Sequence, residues 1–387
     1  MASTVINSPT VAGIPLANGD DLIVTSSGQI AVTTGNAIGV VGDNDLIING
    51  DVIASANTAI INTGTTSDIG VTVGATGLVT SGQDFDAFNI SLSSSFIATN
   101  FGIISGFDGM EISDSDGGVF VEITNFGTIN GQDDGLSIDS GTNSGLIANM
   151  GTIYGGNIGI AIANNAGGSA FSIENSGLIK AEFTAISALG NNKVVRVFNT
   201  GEIEGNIQFG NLADTYNGRW GFIDGSVSGF DGDDVLRGGE EDNVFSGGND
   251  DDSLQGYGGD DSLTGDAGFD TLIGNMGDDT LNGGGRADRL VGGKGNDNLT
   301  GGGSSDTFVF RRVANGDDQI EDFQDGSDLI DLSALGIQNF NALSNTFNAL
   351  SSDNDGVIID LAAAGGSGSI RVLGMTVGDF DAGDFIF

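Results

Sequence analysis

Apolar and polar residues alternate in short runs from about residue 26 to residue 225, and the runs return with a fixed period. The segment Asn-x-Gly-x-Ile occurs at Asn100–Ile104, Asn125–Ile129, Asn149–Ile153, Asn175–Ile179 and Asn199–Ile203, at spacings of 25, 24, 26 and 24. Weaker copies with Gly-x-(Ile/Val) begin at Gly28, Gly50 and Gly77. Each unit holds further alternating runs, such as Met110–Ser113, Leu136–Asp139 and Ile160–Ala163, then Phe120–Thr124 and Val194–Phe198. Two or three strands in about 25 residues suit one coil of a parallel β-helix. Alternation then puts Ile129 and Ile153 inside, stacked coil on coil, with Thr128 and Thr152 outside. The repeated asparagines are placed to bond side chain to side chain along one corner. A β-sandwich of short strands is the alternative, but sandwich strands rarely keep so regular a period.

A second period, of nine, begins at Gly229. Glycine recurs at 238, 247, 256, 265, 274, 283, 292 and 301 without a slip. Five residues after each stands Asp234, Asn243, Asp252, Asp261, Asp270, Asp279, Asp288, Asp297 and Asp306. Two further on is always Leu or Phe, from Leu236 to Phe308. A glycine-rich acidic linker has no reason to keep a Leu in step with every Asp. After residue 310 the period is lost. Val357–Leu361 and Ile370–Leu373 read as strands there, while Phe340, Leu343, Phe347 and Leu350 sit at helical spacing.

Composition narrows the chemistry. The 387 residues carry 53 acidic and 11 basic side chains, a formal charge of −42. That charge repels nucleic acid and anionic membranes and makes cations the natural partners. Such acidity often accompanies disorder, but 38% hydrophobic residues with β-type spacing argue otherwise. Glycine is abundant at 68 residues and proline scarce at two, which fits many tight turns and excludes collagen. Cysteine and histidine are both absent. Disulfides, thiolate metal sites, His-Glu-x-x-His zinc proteases and histidine-dependent serine hydrolases are thereby excluded. No apolar stretch has the length of a membrane-spanning helix. The first Lys or Arg is Lys180, so the N-terminus does not read as a cleaved signal peptide, and secretion requires another route.

The nine-residue columns resemble the Gly-Gly-x-Gly-x-Asp-x-hydrophobic-x unit of the repeats-in-toxin (RTX) family, whose pattern binds calcium. Clear copies are Gly292-Gly293-Lys294-Gly295-Asn296-Asp297-Asn298-Leu299-Thr300 and Gly274-Asn275-Met276-Gly277-Asp278-Asp279-Thr280-Leu281-Asn282. Calcium takes six to eight hard oxygen ligands, which carboxylates and backbone carbonyls supply. The resemblance implies a parallel β-roll, two repeats to a turn, with ions held between stacked loops. The expected ligands are Asp234, Asp252, Asp261, Asp270, Asp279, Asp288, Asp297 and Asp306, with the loop glycines Gly259, Gly268, Gly277 and Gly295. About five to seven calcium ions are expected. The repeat at 238 departs, with Asn243 for Asp and Glu241 for Gly, and Arg286 and Asp250 replace the fourth-position glycine. The best-formed sites are therefore expected between Gly256 and Asp297. At about 1 mM calcium and a dissociation constant near 0.1 mM, each site contributes about 1.4 kcal/mol. Without the ions the aspartate rows repel, so the roll is expected to fold only with calcium.

Elsewhere the resemblances are broader. Residues 26–225 are similar to the passenger β-helices of bacterial autotransporters. The tail, with Asp306-Thr307-Phe308-Val309-Phe310, Asp322-Phe323, Asp328 and the ending Asp384-Phe385-Ile386-Phe387, resembles serralysin-type exoproteins. That implies uncleaved type I export from a Gram-negative cell to the outside or the cell surface. The expected architecture is all-β: an N-terminal cap over 1–25, a parallel β-helix over 26–228, a calcium-loaded β-roll over 229–309, and a C-terminal β cap with secretion signal over 310–387. No catalytic residue is assigned. A non-enzymatic surface, matrix or adhesion protein is favoured, with cell-surface or extracellular polysaccharide as a candidate partner and no membrane insertion. The alternative is a β-helix polysaccharide lyase or epimerase. Against it, residues 1–179 hold no Lys or Arg to neutralise a uronate carboxylate. The acidic group Asp108, Glu111, Asp114, Asp116, Asp133 and Asp134 reads as a solvated face or as a further cation site.

Overall fold

The computed structural model describes all residues except 1–2, 11, 63–67, 93–94, 115–118, 139–143, 164–169, 191, 312–315, 347–348 and 362–366. Strands dominate it, and almost every pairing is parallel, in keeping with the all-β expectation. The chain forms two compact units: Met1–Asn211 with Gly221–Gly225, and Leu212–Trp220 with Ser226–Phe387.

The first unit is a parallel β-helix with three strands to a coil. One ladder stacks Ser95–Asn100, Phe120–Asn125, Ser144–Asn149, Phe171–Asn175 and Val195–Asn199. A second stacks Ile103–Gly106, Thr128–Gly131 and Thr152–Gly155, and a third stacks Met110–Asp114, Asp134–Ile138 and Ile158–Ile162. The coils begin early, since Ser3–Ile6 already pairs with Asp21–Val24. Ile129 faces Ile153 and Thr128 faces Thr152, as alternation requires. The inward column Ile30, Val52, Val79, Ile104, Ile129, Ile153, Ile179 and Ile203 is sealed from solvent. Each such side chain contributes about 1.5–3 kcal/mol of hydrophobic stabilisation.

The asparagine ladder is present. Each Nδ2 donates to the next Oδ1, at 2.9 Å from Asn100 to Asn125 and 2.8 Å from Asn125 to Asn149, Asn149 to Asn175 and Asn175 to Asn199. The same amide groups also donate around the corner to the carbonyls of Thr128, Thr152, Leu178 and Glu202. Buried amides are thus paired without any ion. The glycine two residues on is fixed by close approach: a Cβ at Gly127 would strike the carbonyl of Gly102, and one at Gly151 that of Gly127.

The second unit is a parallel roll of two ladders. One joins Val235–Arg237, Ser253–Gly258, Thr271–Met276, Arg289–Lys294 and Thr307–Val309. The other joins Ser226–Asp231, Val244–Asn249, Ser262–Ala267, Thr280–Gly285 and Asn298–Gly303. Paired residues such as Leu254 and Leu272, or Leu263 and Leu281, stand two repeats apart, so two repeats make one turn. The Leu and Phe column from Leu236 to Phe308 forms its core.

Beyond Val309 the roll continues into a β cap. Asp317–Ile320 and Leu329–Asp331 extend the two ladders, and Phe385–Ile386 pairs with Leu329–Asp331. Phe323, Phe380 and Phe385 pack in a chain with ring centroids 5.5 and 5.6 Å apart. Among the described residues, the helical spacing noted from Phe340 to Leu350 corresponds to one wide turn, Ala342–Thr346. Leu350 instead begins a strand, drawn into antiparallel pairing with Ile359 by a turn in which Asp353 accepts from the amides of Asp355 and Gly356. Phe347, like Asp139 in the first unit, lies outside the described residues.

Candidate metal centre

Most of the roll's loops take a left-handed backbone at the second and fourth positions of the repeat. At the fourth position φ is +91° at Gly259, +124° at Gly277 and +127° at Gly295. Glycine adopts that geometry without a Cβ penalty. The turn survives replacement on the other edge, with φ of +75° at Asp250, +82° at Arg286 and +105° at Ser304. Gly268 and Glu241 do not share it. At the second position Tyr257, Asn275 and Gly293 adopt it too, which accounts for the Gly-Gly-x-Gly rhythm.

The aspartates line up as two stacked rows. On one edge the amide of each member donates to Oδ1 of the next: Asn243 to Asp261 at 2.8 Å, Asp261 to Asp279 and Asp279 to Asp297 at 2.9 Å. On the other, Asp234 donates to Asp252 at 2.7 Å, and Asp252 to Asp270, Asp270 to Asp288 and Asp288 to Asp306 at 2.8 Å. The fifth position runs the opposite way. The amides of Asp260, Asp278 and Asn296 donate back to Oδ1 of Asp242, Asp260 and Asp278, at 2.7, 2.8 and 2.7 Å. Carboxylates therefore stitch each loop to both neighbours.

One oxygen of each sixth-position aspartate is left over. Oδ2 of Asp234, Asp252, Asp261, Asp270, Asp279, Asp288, Asp297 and Asp306 is buried without a hydrogen-bond partner. Leaving one buried polar atom unpaired costs about 1–3 kcal/mol, and here eight recur in register. Asn243 has no such atom, because its Oδ1 accepts from Gly239 at 2.9 Å. The first-position glycines give these oxygens room. A Cβ at Gly274 would run into Oδ2 of Asp279, and one at Gly256 into Oδ2 of Asp261.

Burial pushes the carboxyls up: to about 8 at Asp234 and Asp252, about 7 at Asp261, Asp279 and Asp288, and about 6 at Asp270 and Asp297. Neighbouring carboxylates add to the rise, and the stacked amide opposes it. Near neutral pH the groups raised to about 7 or 8 hold a proton for much of the time unless a cation takes its place. A calcium ion fits the donor set, which is all oxygen. No point among the described residues gathers three acidic side chains, so an ion there would also draw on backbone carbonyls or water. Carbonyls are at hand: that of Gly259 lies where a Cβ at Gly277 would stand, and that of Gly277 where one at Gly295 would.

Sequence periodicity missed three members of the rows. Asp214 donates to Asp234 at 2.6 Å, while Asp318 accepts from Asp297 at 3.1 Å and Asp328 from Asp306 at 2.9 Å. The offsets are 20, 21 and 22 instead of 18, which hides them from a period of nine. The step from Asp to a buried residue two positions on, at Tyr216, Ile320 and Ile330, is the signal that finds them. The acidic group of the first unit is a different arrangement. Asp108 accepts from the amide of Asp134 at 3.0 Å, and the Asn89 side chain donates to Glu111, so these carboxylates also bridge coils. Asp116 and the side chain of Asp114 lie outside the described residues.

Residues 228–262, 255–285 and 282–312 match the family model "RTX calcium-binding nonapeptide repeat (4 copies)". The roll is therefore built of RTX calcium-binding repeats. Among solved structures, the chain is similar to the extracellular lipase LipA from Serratia marcescens, at 19% identity and a TM-score of 0.27. That match covers 50% of this chain and spans 40% of the lipase. No curated protein matches.

Proposed function

We propose that the sixth-position aspartates of the roll are its calcium ligands, and that the roll folds when the ions bind after type I export. The observation that carries this is the register of eight buried carboxylate oxygens with no partner. Asp234, Asp252, Asp261, Asp270, Asp279, Asp288, Asp297 and Asp306 each present one, and loop carbonyls such as those of Gly259 and Gly277 supply further oxygens. Bound calcium supplies the positive charge that lets these carboxyls stay ionised at neutral pH. About five to seven ions are expected.

The first unit serves as a non-enzymatic surface, matrix or adhesion module, outside the cell or on its surface. What supports this reading is the scarcity of cations: residues 1–179 hold no Lys or Arg, Lys180 is engaged by Glu204 and Lys193 is buried, which leaves Arg196 as an exposed cation on the strand Val195–Asn199. No helix among the described residues is long and apolar enough to cross a membrane. Circular dichroism of the full chain in chelator and in millimolar calcium tests the metal half. A spectrum that ignores calcium would sink it. Incubating the calcium-loaded protein with acidic polysaccharides tests the other half, since cleavage or unsaturated products would identify an enzyme.

A further inference from the structure

The two rows do not stop where the nine-residue period stops. Gly316-Asp317-Asp318-Gln319-Ile320 reproduces the fourth to eighth positions of a repeat, and it makes the same bonds. Asp297 donates to Oδ1 of Asp318 at 3.1 Å, as Asp279 does to Asp297 at 2.9 Å. Asp317 donates to Oδ1 of Asn296 at 2.9 Å, as Asn296 does to Asp278 at 2.7 Å. Gln319 donates to the carbonyl of Asp297 at 2.8 Å, as Asn298 does to that of Asp279 at 2.8 Å. A Cβ at Gly316 would meet the carbonyl of Gly295, just as one at Gly295 would meet that of Gly277. This is a cryptic tenth loop, displaced by three residues.

We infer that a further calcium site lies between the Asp297 loop and the Asp318 loop, with both carboxylates as ligands. The inference rests on the calcium reading of the repeats and extends it to a residue outside them. Asp297 and Asp318 are 1% and 2% exposed, and Oδ2 of Asp297 has no partner. The two carboxyl groups lie against each other, and no described ion pair involves either. Two buried carboxyls in contact cannot both stay ionised without a cation between them, and otherwise share a proton. Asp328 closes the other row differently. Its Oδ1 accepts from Asp306 and its Oδ2 from the amide of Gln324 at 2.8 Å, so both its oxygens are occupied.

Native mass spectrometry of the full chain across a calcium titration counts the ions held. The variants are Asp318→Asn and, as a control of equal charge, the exposed Asp317→Asn. Asparagine can still accept the Asp297 amide, and Asn243 shows that the column tolerates it. Asp318→Asn is expected to hold one calcium fewer than the parent, while Asp317→Asn holds the parent number. Equal counts for the two variants overturn the site. A parent that binds no calcium overturns the reading of the repeats as well, and is a distinct result. Should Asp318→Asn lose the roll's circular dichroism in saturating calcium, Asp318→Glu decides. Recovery of the fold with the full ion count at a higher calcium midpoint supports a ligand, and failure to recover makes Asp318 purely structural.

Discussion

The amide of Asp261 donates to Oδ1 of Asp279 at 2.9 Å, while Oδ2 of the same Asp279 is buried with no partner. One oxygen bridges neighbouring loops, and the other is the oxygen that the proposed calcium ion would take. That division of labour separates the roll from the asparagine corner of the first unit, where both amide hydrogens find acceptors within the protein.

Asp279→Ala removes a charged donor shared by the sites on either side of its loop. Calcium affinity at those sites should fall about tenfold or more, since hydrogen bonds and contacts to a charged group are worth about 1.5–3 kcal/mol. Asn243→Ala touches a position with no orphaned oxygen and should shift the midpoint much less. Calcium titrations followed by circular dichroism compare them. Equal shifts would mean that the sixth column does not carry the ligands.

Gly274→Ala should mimic Asp279→Ala, because the new methyl group occupies the space of Oδ2 of Asp279. Gly285→Ala meets nothing nearer than the Asp266 carbonyl at 3.7 Å and should leave the calcium midpoint unchanged. The pair separates glycine needed for a ligand from glycine that is merely abundant.

Acidity should stabilise the calcium-free roll. Its aspartates rise from 3.8 to about 7 at Asp261, Asp279 and Asp288, chiefly through burial. A folded state with raised values binds more protons than the unfolded chain, so stability is greatest below about pH 4 and falls as pH climbs through 7. Calcium competes with those protons, and its affinity should weaken below about pH 7. A pH series of circular dichroism in chelator and in calcium reads both slopes. Calcium-free β signal that grows from pH 5 to pH 8 would contradict the assignment.

The first unit should keep its β signal in chelator, because the asparagines of its ladder, from Asn100 to Asn199, are already paired within the protein. Asn149→Ala should lower its thermal stability by about 1–3 kcal/mol, by stranding neighbours in the ladder. The loss should be the same with and without calcium. A loss seen only in calcium would tie the ladder to the metal.

Periodic features were legible in the sequence because each has a local physical cause. Ile129 over Ile153, Asn125 over Asn149 and Leu254 over Leu272 all follow from alternation plus a constant step. What escaped was whatever breaks step. Asp318 and Asp328 complete the aspartate rows through offsets of 21 and 22, and no period of nine reaches them. Leu350 joined a strand because a turn at Asp353 outweighed helical spacing. The reason for the first-position glycine was hidden too, since contact with its own repeat's carboxylate is visible only in three dimensions.

The opposed bonds at the fifth and sixth positions make the roll a one-dimensional lattice. Asp278 reaches back to Asp260, Asp261 reaches forward to Asp279, and no loop is ordered alone. An ion that settles one loop has already oriented a carboxylate of the next, so the second ion faces a smaller entropic penalty. Occupancy should then spread like a closing zipper and rise more steeply with calcium than independent sites allow. The two edges should also close unequally, for one row contains the neutral Asn243 and the other, from Asp234 to Asp306, is charged throughout.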